Sequence, residues 1–205
     1  MPFENVISSP AELYEVYEQP GVASTKAIAA LDGHCRAFIA HSPFVLIATH
    51  AADGRGDVSP RGGPPGFVTV LDDKRMAIAD ASGNNRLDSL RNIVQSGQIG
   101  LLFLIPGLAE TLRINGRACI TRDPALLTHD GGKGKPPKSA IGIDVEEAFL
   151  HCAKAFMRST LWDPATWPER DGLARPAQIW KDHIGLPDPL DEVETWLADD
   201  YANNL

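Results

Sequence analysis

Two arginine-bearing segments offer the clearest chemistry in this sequence. Arg61 is set in the run Ser59-Pro60-Arg61-Gly62, and Arg86 follows Asn85 where a helix is predicted to begin. Glycine permits close approach of a ligand to the backbone, and the free N–H groups of a helix start favour an anion. An arginine adds a planar fork of donors that matches phosphate. The segments predict a bound phosphate group, with Ser89 one helical turn beyond Arg86.

Each segment also has a plainer interpretation that the residues leave open. Asn85 is a good helix cap, in which case Arg86 lies in solvent. Arg61 in a Gly- and Pro-rich stretch is equally typical of a surface turn. Two arginines in adjacent units strengthen the phosphate interpretation without excluding these alternatives.

A second basic face begins near residue 154. Lys154 and Arg158 are four residues apart, so they are neighbours on one side of a helix, and Ser159 and Trp162 come directly after them. This combination suits a planar aromatic ligand that carries phosphate. The alternative is a solvated helix face followed by a core tryptophan.

Composition restricts the class of protein. The 205 residues include 27 acidic and 19 basic side chains, a net charge of −8, which argues against broad nucleic-acid binding because such binding depends on Lys and Arg. The longest apolar run, residues 99–109, is too short for a membrane helix of about 20 residues. With no secretory signal visible and three widely spaced cysteines, we expect a cytoplasmic protein with reduced thiols.

The sequence predicts one domain, residues 1–205, with three parts. Residues 1–42 form a helical cover, whose first helix begins at Ser9 and whose second runs from about Ser24 to Leu31; the stretch 36–40 is ambiguous. Residues 43–150 contain the strands. Residues 151–205 form a helical extension with a helix at 151–161, a proline-interrupted stretch after it, and a last helix from Leu190.

Short β-branched and aromatic runs separated by turn residues predict six or seven antiparallel strands. One helix, Arg86 to Gln95, interrupts them with apolar residues at helical spacing. The fold class is therefore mainly β (α+β), with peripheral helices. The predicted strands are residues 44–50, 67–71, 76–79, 99–105, 111–121 and 140–145.

Familiar catalytic motifs are missing from the sequence. Residues 131–137 are rich in glycine and lysine but lack the spacing of a phosphate-binding P-loop, and we expect a mobile loop there. His34-Cys35 and His151-Cys152 place the two residue types side by side, unlike structural zinc sites. We expect no metal site, and no catalytic residue can be assigned.

The order of these motifs resembles the pyridoxamine 5'-phosphate oxidase-like split-barrel flavoproteins, and within them an uncharacterised FMN-binding subgroup. The resemblance covers roughly residues 25 to 165. It implies a six- to seven-stranded antiparallel split β-barrel. The blocks that carry it are Asp57–Gly62, Asp88–Ile93, Gly100–Gly107, Glu110–Ala118 and His151–Trp162.

The resemblance further implies a homodimer with two FMN molecules at the subunit interface, each contacted by both chains. Arg61 and Arg86 would hold the phosphate and Trp162 would flank the ring. One chain would supply Ser59, Pro60, Arg61, Gly62, Ala79, Asp80, Asn85, Arg86 and Ser89. The other would supply Glu110, Thr111, Lys154, Arg158, Ser159 and Trp162.

The C-terminal end departs from the vitamin B6 oxidase pattern, because the last arginine is Arg175 and residues 188–205 are strongly acidic. This argues against oxidation of pyridoxamine phosphate. The expected function is an FMN-dependent oxidoreductase acting on an unknown small molecule, with NAD(P)H as a candidate reductant. The alternatives are a non-catalytic flavin- or heme-type binding or sensor protein, and an F420-dependent reductase on the same fold.

Overall fold

The structure is a computed structural model, and it describes residues 3–19, 21–80, 83, 85–127 and 136–203. Most of the loop predicted at 131–137 lies outside these residues. Among the described residues, no helix has the length and apolarity to span a membrane. The α-helices are α1 (Pro10–Val16), α2 (Gly33–His41), α3 (Asp88–Ser96), α4 (Lys154–Ser159), α5 (Pro176–Ile184) and α6 (Leu190–Asn203), and 3₁₀ segments cover Val22–Thr25, Pro124–Leu126 and Pro164–Thr166.

Seven antiparallel strands form one sheet that does not close. Their order is β2-β1-β5-β6-β7-β4-β3, so β2 and β3 are the edges. This confirms the predicted mainly β class and the split barrel with peripheral helices. The strands are β1 (Phe44–His50), β2 (Gly56–Gly62), β3 (Val68–Val70), β4 (Arg75–Ala79), β5 (Gln98–Leu104), β6 (Thr111–Thr121) and β7 (Ala140–His151).

Alternation along the strands separates an inner face from an outer one. On β1, Val45 and Ile47 are fully buried, and on β5 Leu101 and Phe103 are buried beside them in register. Side chains two residues apart share a face of a strand, so these positions build one core. Helix α2 adds Cys35 and Ile39 to that core, and α3 adds Ile93.

Strand β2 is missing from the six predicted strands, and it replaces the surface turn considered for Arg61. Proline and glycine discouraged a strand assignment, yet Pro60 pairs with Leu46 in the antiparallel register. Proline is tolerated here because β2 is an edge strand, where the N–H that proline lacks is not needed for a hydrogen bond to the neighbouring strand.

The second predicted helix, from about Ser24 to Leu31, is wrong. Only a short 3₁₀ segment forms there, and α2 begins at Gly33 instead. Its cap is Asp32, whose carboxylate accepts a hydrogen bond of 2.8 Å from the Cys35 N–H. The first helix is capped by Ser9 as predicted.

The C-terminal part also differs from the prediction. Strand β7 continues to His151, so the helix expected at 151–161 shrinks to α4. Pro176 starts α5 rather than breaking the chain, since proline suits the first helical position. Helices α5 and α6 form a hairpin with a small core of its own, built from Ala177, Val193 and Leu197.

The outer face of the sheet carries an apolar patch on β1, β2 and β5. Val58 is 65% exposed and Phe44 is 36% exposed. An exposed apolar area on a sheet next to an open edge is typical of an interaction surface. We call Phe44, Leu46, Val58, Leu102 and Leu104 the outer patch; Leu46, Leu102 and Leu104 are half-buried.

Candidate functional site

Strand β2 turns three polar side chains inward. Asp57, Ser59 and Arg61 alternate with exposed residues and are half-buried, and they lie opposite Thr49, Ile47 and Val45 of β1. Pro60 and Gly62 are on the other face. Arg61, the arginine predicted to bind phosphate, is therefore one of three alternating polar residues on the inner face of β2.

Arg61 is held by its own strand. Its Nη1 donates to the Ser59 hydroxyl at 2.5 Å and to the Pro60 carbonyl at 2.8 Å. Within the described ranges, Arg61 forms no ion pair with a carboxylate. The guanidinium keeps further donors and its full charge for a ligand, since arginine has five N–H donors.

A second cation and a carboxyl group lie near Arg61. Burial raises the pKa of Asp80 at the end of β4, while the positive charges of Arg61 and Lys138 act in the opposite direction. The field of both cations therefore reaches the same half-buried carboxyl. Positive charge exceeds negative charge among these three groups, which suits an anion.

A buried polar network ties α3 to the sheet. The Ser89 hydroxyl donates to the Asp57 carboxylate at 2.7 Å, and the Thr49 hydroxyl donates to the same oxygen at 3.5 Å. The Asn92 amide donates to the Thr49 hydroxyl at 3.1 Å. Ser89, Asn92 and Thr49 are all buried, so the Ser89 hydroxyl is committed to Asp57 in this arrangement.

The start of α3 lies two residues later than predicted. Its cap position is Leu87, with no side-chain cap bond, while Asn85 has a left-handed φ of 57°, so Asn85 does not cap the helix. Arg86 Nε donates to the Asp88 carboxylate at 2.5 Å, and Arg91 donates to its other oxygen at 2.5 Å.

The charged groups at the start of α3 shift one another's pKa values. Hydrogen bonds from Arg86 and Arg91 lower the pKa of Asp88. Asp88 in turn raises the pKa of Arg86, and the charge of Asp57 adds to that effect. Asp57 thus links the α3 turn to β2. Asn84, which directly precedes Asn85, lies outside the described residues.

The remaining candidates form a second group at the start of β6 and the end of β7. Thr111 pairs with His151 across these strands, and Glu110 directly precedes Thr111. Trp162 Nε1 donates to the Leu108 carbonyl at 2.8 Å, which brings the segment after α4 back to this strand end.

Trp162 is fixed as an aromatic surface in this second group. Its ring stacks on Phe156 with the centroids 5.6 Å apart and an angle of 18° between the planes. Lys154, Arg158 and Ser159 of α4 are exposed beside it. Among the described residues, Lys154 and Arg158 have no ion-pair partner. The group offers cations next to a held aromatic ring.

The two groups lie on different strands of the sheet. Strands β1 and β5 lie between β2, with Ser59 and Arg61, and β6, which begins at Thr111. The sequence-predicted residues thus form an Arg61 group (Ser59, Pro60, Arg61, Gly62, Ala79, Asp80, Asn85, Arg86 and Ser89) and a Trp162 group (Glu110, Thr111, Lys154, Arg158, Ser159 and Trp162).

Two residues were missed by sequence reasoning. Asp57 shares the inner face with Ser59 and Arg61, and reading the segment as a strand would have revealed that. Nothing in the sequence around Lys138 marks it as a site residue, because its proximity to Asp80 depends on the pairing of β4 with β7.

The donors of the two groups fit a phosphorylated aromatic cofactor better than a metal ion. Arg61 and Lys138 are suited to a phosphate, and Trp162 is suited to a planar ring. Across the part of the chain that the structure describes, no group of three or more His, Cys, Asp or Glu side chains is placed to hold a metal.

Comparison with known proteins gives a family match. A family model described as pyridoxamine 5'-phosphate oxidase matches residues 31–152, which is more than half of the chain. The matched region contains the entire sheet and both α2 and α3. Among proteins with curated functions, none matches this sequence significantly.

Several solved structures are similar over the same part of the chain. HupZ from Group A Streptococcus is 21% identical, covers 58% of this chain and 92% of its own, and has a TM-score of 0.49. A protein related to general stress protein 26 from Clostridium acetobutylicum is 17% identical, with coverages of 58% and 85% and a score of 0.44. The heme storage protein HutZ from Vibrio cholerae is 14% identical, with coverages of 58% and 92% and a score of 0.43. At these values, the structures assign no ligand or reaction to this chain.

Proposed function

Because the chain belongs to the pyridoxamine 5'-phosphate oxidase family, we propose that it binds FMN and works as an FMN-dependent oxidoreductase on a small molecule. One observation carries the proposal: Arg61 is half-buried on the inner face of β2 and pairs with no carboxylate among the described residues. A cation fixed in this way is ready to receive the phosphate of a cofactor.

In this proposal the Arg61 group holds the polar half of the cofactor. Arg61 and Arg86 bind the phosphate, with Lys138 adding positive charge from the start of β7. Ser59, Ala79 and Asp80 line the ribityl chain and the ring. Bound flavin supplies the acceptor for a hydride, and the protein supplies position and electrostatics.

A second copy of the chain would complete the site. In the strand order, β1 and β5 separate the Arg61 group on β2 from the start of β6, where the Trp162 group lies. A cofactor placed between two chains would contact both groups. The outer patch offers an apolar surface for such a homodimer. Clefts between subunits are common cofactor sites.

The cytoplasm is the proposed location. The three cysteines are free thiols in the structure, which is typical of a reducing compartment. Among the described residues, Cys119 and Cys152 are exposed without a disulfide partner.

The absorption spectrum of the purified protein tests the cofactor directly. FMN, F420 and heme differ in their absorption bands, so the spectrum of ligand released by heating separates the three. Flavin bands, together with a thermal shift on adding FMN to the stripped protein, support the proposal. A colourless protein that shows no thermal shift with FMN would refute it.

Catalysis needs its own test. The flavin-loaded protein is mixed anaerobically with NADPH or NADH, and bleaching of the flavin absorption is monitored. Reduction, and then turnover with a panel of small electron acceptors, supports an oxidoreductase. Flavin that stays oxidised with every donor favours a carrier or sensor and overturns the enzymatic part of the proposal.

A further inference from the structure

A hollow lies on the outer face of the sheet where β1, β5 and β6 place small side chains in one row. Ala48 pairs with Gly100, and Gly100 pairs with Asn115. The rows on either side carry larger side chains, so the surface sinks between them. The cavity has a volume of about 300 Å³, at the lower end of the range for small-molecule sites.

A β-bulge builds one wall of this hollow. Asn115 faces Glu147 and Gly116 faces Val145, which leaves Glu146 as the extra residue of β7. A Cβ atom on Gly116 would lie 2.0 Å from the Asp144 carbonyl oxygen, so only glycine permits this close approach. Bulges redirect side chains and are frequent beside binding sites.

Three polar side chains of the hollow are uncommitted, whereas Asn115 donates to the Glu147 carboxylate at 2.6 Å and Thr49 belongs to the buried network at α3. Glu146, Gln98 and His50 all line it. Among the described residues, the Glu146 carboxylate and the Gln98 amide have no hydrogen-bond or ion-pair partner. His50 Nδ1 lies 3.0 Å from the Ala51 carbonyl, which leaves the second ring nitrogen open. Arg117 lies across from Gln98 and from Asp144, so the carboxylates of Glu146 and Asp144 outnumber that cation at this end.

The opposite end has the opposite charge. A second hollow of about 290 Å³ shares Ala48, Gly100 and Asn115 and continues past Leu102 to Arg113. Arg113 is exposed, and its guanidinium lies 5.6 Å from the centre of the Phe149 ring. A bound cation is attracted towards Glu146 and repelled from Arg113, so the two ends fix the direction in which a charged molecule lies.

We propose that this hollow binds a small organic amine. The protonated nitrogen lies against the Glu146 carboxylate and the Gln98 amide oxygen, and the apolar body covers Ala48 and Gly100. None of the residues in the Arg61 or Trp162 groups lines the hollow. The second hollow includes Leu46, Val58 and Leu102 of the outer patch, so the amine site borders the proposed dimer surface although it shares no residue with the Arg61 and Trp162 groups.

The test uses the full chain as purified and three probes of one shape: benzylamine, benzyl alcohol and benzoate. Binding is measured by ligand-observed NMR and calorimetry. Benzylamine is expected to bind more tightly than the other two. Glu146→Gln is expected to weaken benzylamine binding about tenfold, as for the loss of a hydrogen bond to a charged group.

Matched variants make the test specific. Asp191→Asn removes an exposed carboxylate of α6, away from the hollow, and is expected to leave benzylamine affinity unchanged. Ala48→Leu fills the hollow from an exposed position and is expected to abolish binding. Equal benzylamine affinity in Glu146→Gln and wild type, or benzoate binding as tightly as benzylamine, would overturn the proposal. The flavin absorption of every variant, recorded in parallel, reports on the flavin proposal separately.

Discussion

Replacement of Arg61 by alanine is expected to weaken FMN binding because the contact between Arg61 and the FMN phosphate is lost, while contacts with the rest of the cofactor remain. Nη1 of Arg61 is occupied by Ser59 and Pro60, which leaves the remaining donors for phosphate. A hydrogen bond to a charged group contributes about 1.5–3 kcal/mol. The carboxyl group of Asp80 lies within the field of Arg61, and it reduces what a second hydrogen bond from Arg61 to the phosphate would contribute to the binding free energy. We therefore expect the loss of one such bond, a roughly 10- to 150-fold increase in Kd.

The assay compares two ligands that differ only in the phosphate. Stripped wild-type protein and Arg61→Ala are titrated with FMN and with riboflavin, and quenching of flavin fluorescence gives the dissociation constants. The expected increase appears with FMN, while riboflavin affinity stays the same.

Arg55→Ala is the matched control for this experiment. Arg55 precedes the same strand, is exposed, and already pairs with Asp53 at 2.9 Å. Its removal is expected to change neither affinity. The reasoning is refuted if Arg61→Ala binds FMN as tightly as wild type, or if it loses riboflavin and FMN affinity equally.

Three further outcomes are expected from the packing and the titrating groups. Gly116→Ala is expected to lower the free energy of unfolding, measured in urea, by about 3 kcal/mol or more, because its Cβ would lie 2.0 Å from the Asp144 carbonyl oxygen. Gly56→Ala is the control: no atom lies within 4 Å of its Cβ, so the free energy of unfolding should change by less than ~0.5 kcal/mol. Burial raises the pKa of the Cys35 thiol to about 11, so Ellman's reagent at about pH 8 should modify only the two exposed thiols until urea is added; rapid modification of all three in the folded protein would contradict the burial. Burial also raises the pKa of Asp80, so the folded state holds its proton more tightly and stability falls as pH rises through that range. Asp80→Asn should increase the free energy of unfolding at neutral pH and not at acidic pH, and an equal change at both would show another cause.

Much of the sheet is predictable because its strands alternate or bury apolar side chains. The predicted bounds of β1 and β6 agree with the structure, and those of β5 differ by one residue at each end. The pattern fails at β2, where packing on one side and a free edge permit Pro60 and two glycines. An edge strand needs little intrinsic strand preference, so composition alone does not reveal it.

The candidate site is predictable in its residue types and less so in its arrangement. Arg61 and Ser59 are recognisable because phosphate chemistry requires donors near flexible backbone. Lys138 joins them only through strand pairing, and the bond between Ser89 and Asp57 joins residues 32 positions apart. Such contacts depend on the whole fold and leave no mark in the local sequence.

The small core shared by α5 and α6 has a consequence for local stability. Its buried residues, Ala177, Val193 and Leu197, form a cluster separate from the core of the sheet, so the hairpin can open while the sheet stays folded. Amide hydrogens of α5 and α6 should then exchange with solvent through a low-energy opening of their own, whereas those of β5 and β6 exchange only when the sheet unfolds. We therefore expect the chain to behave as two cooperative units of unequal stability.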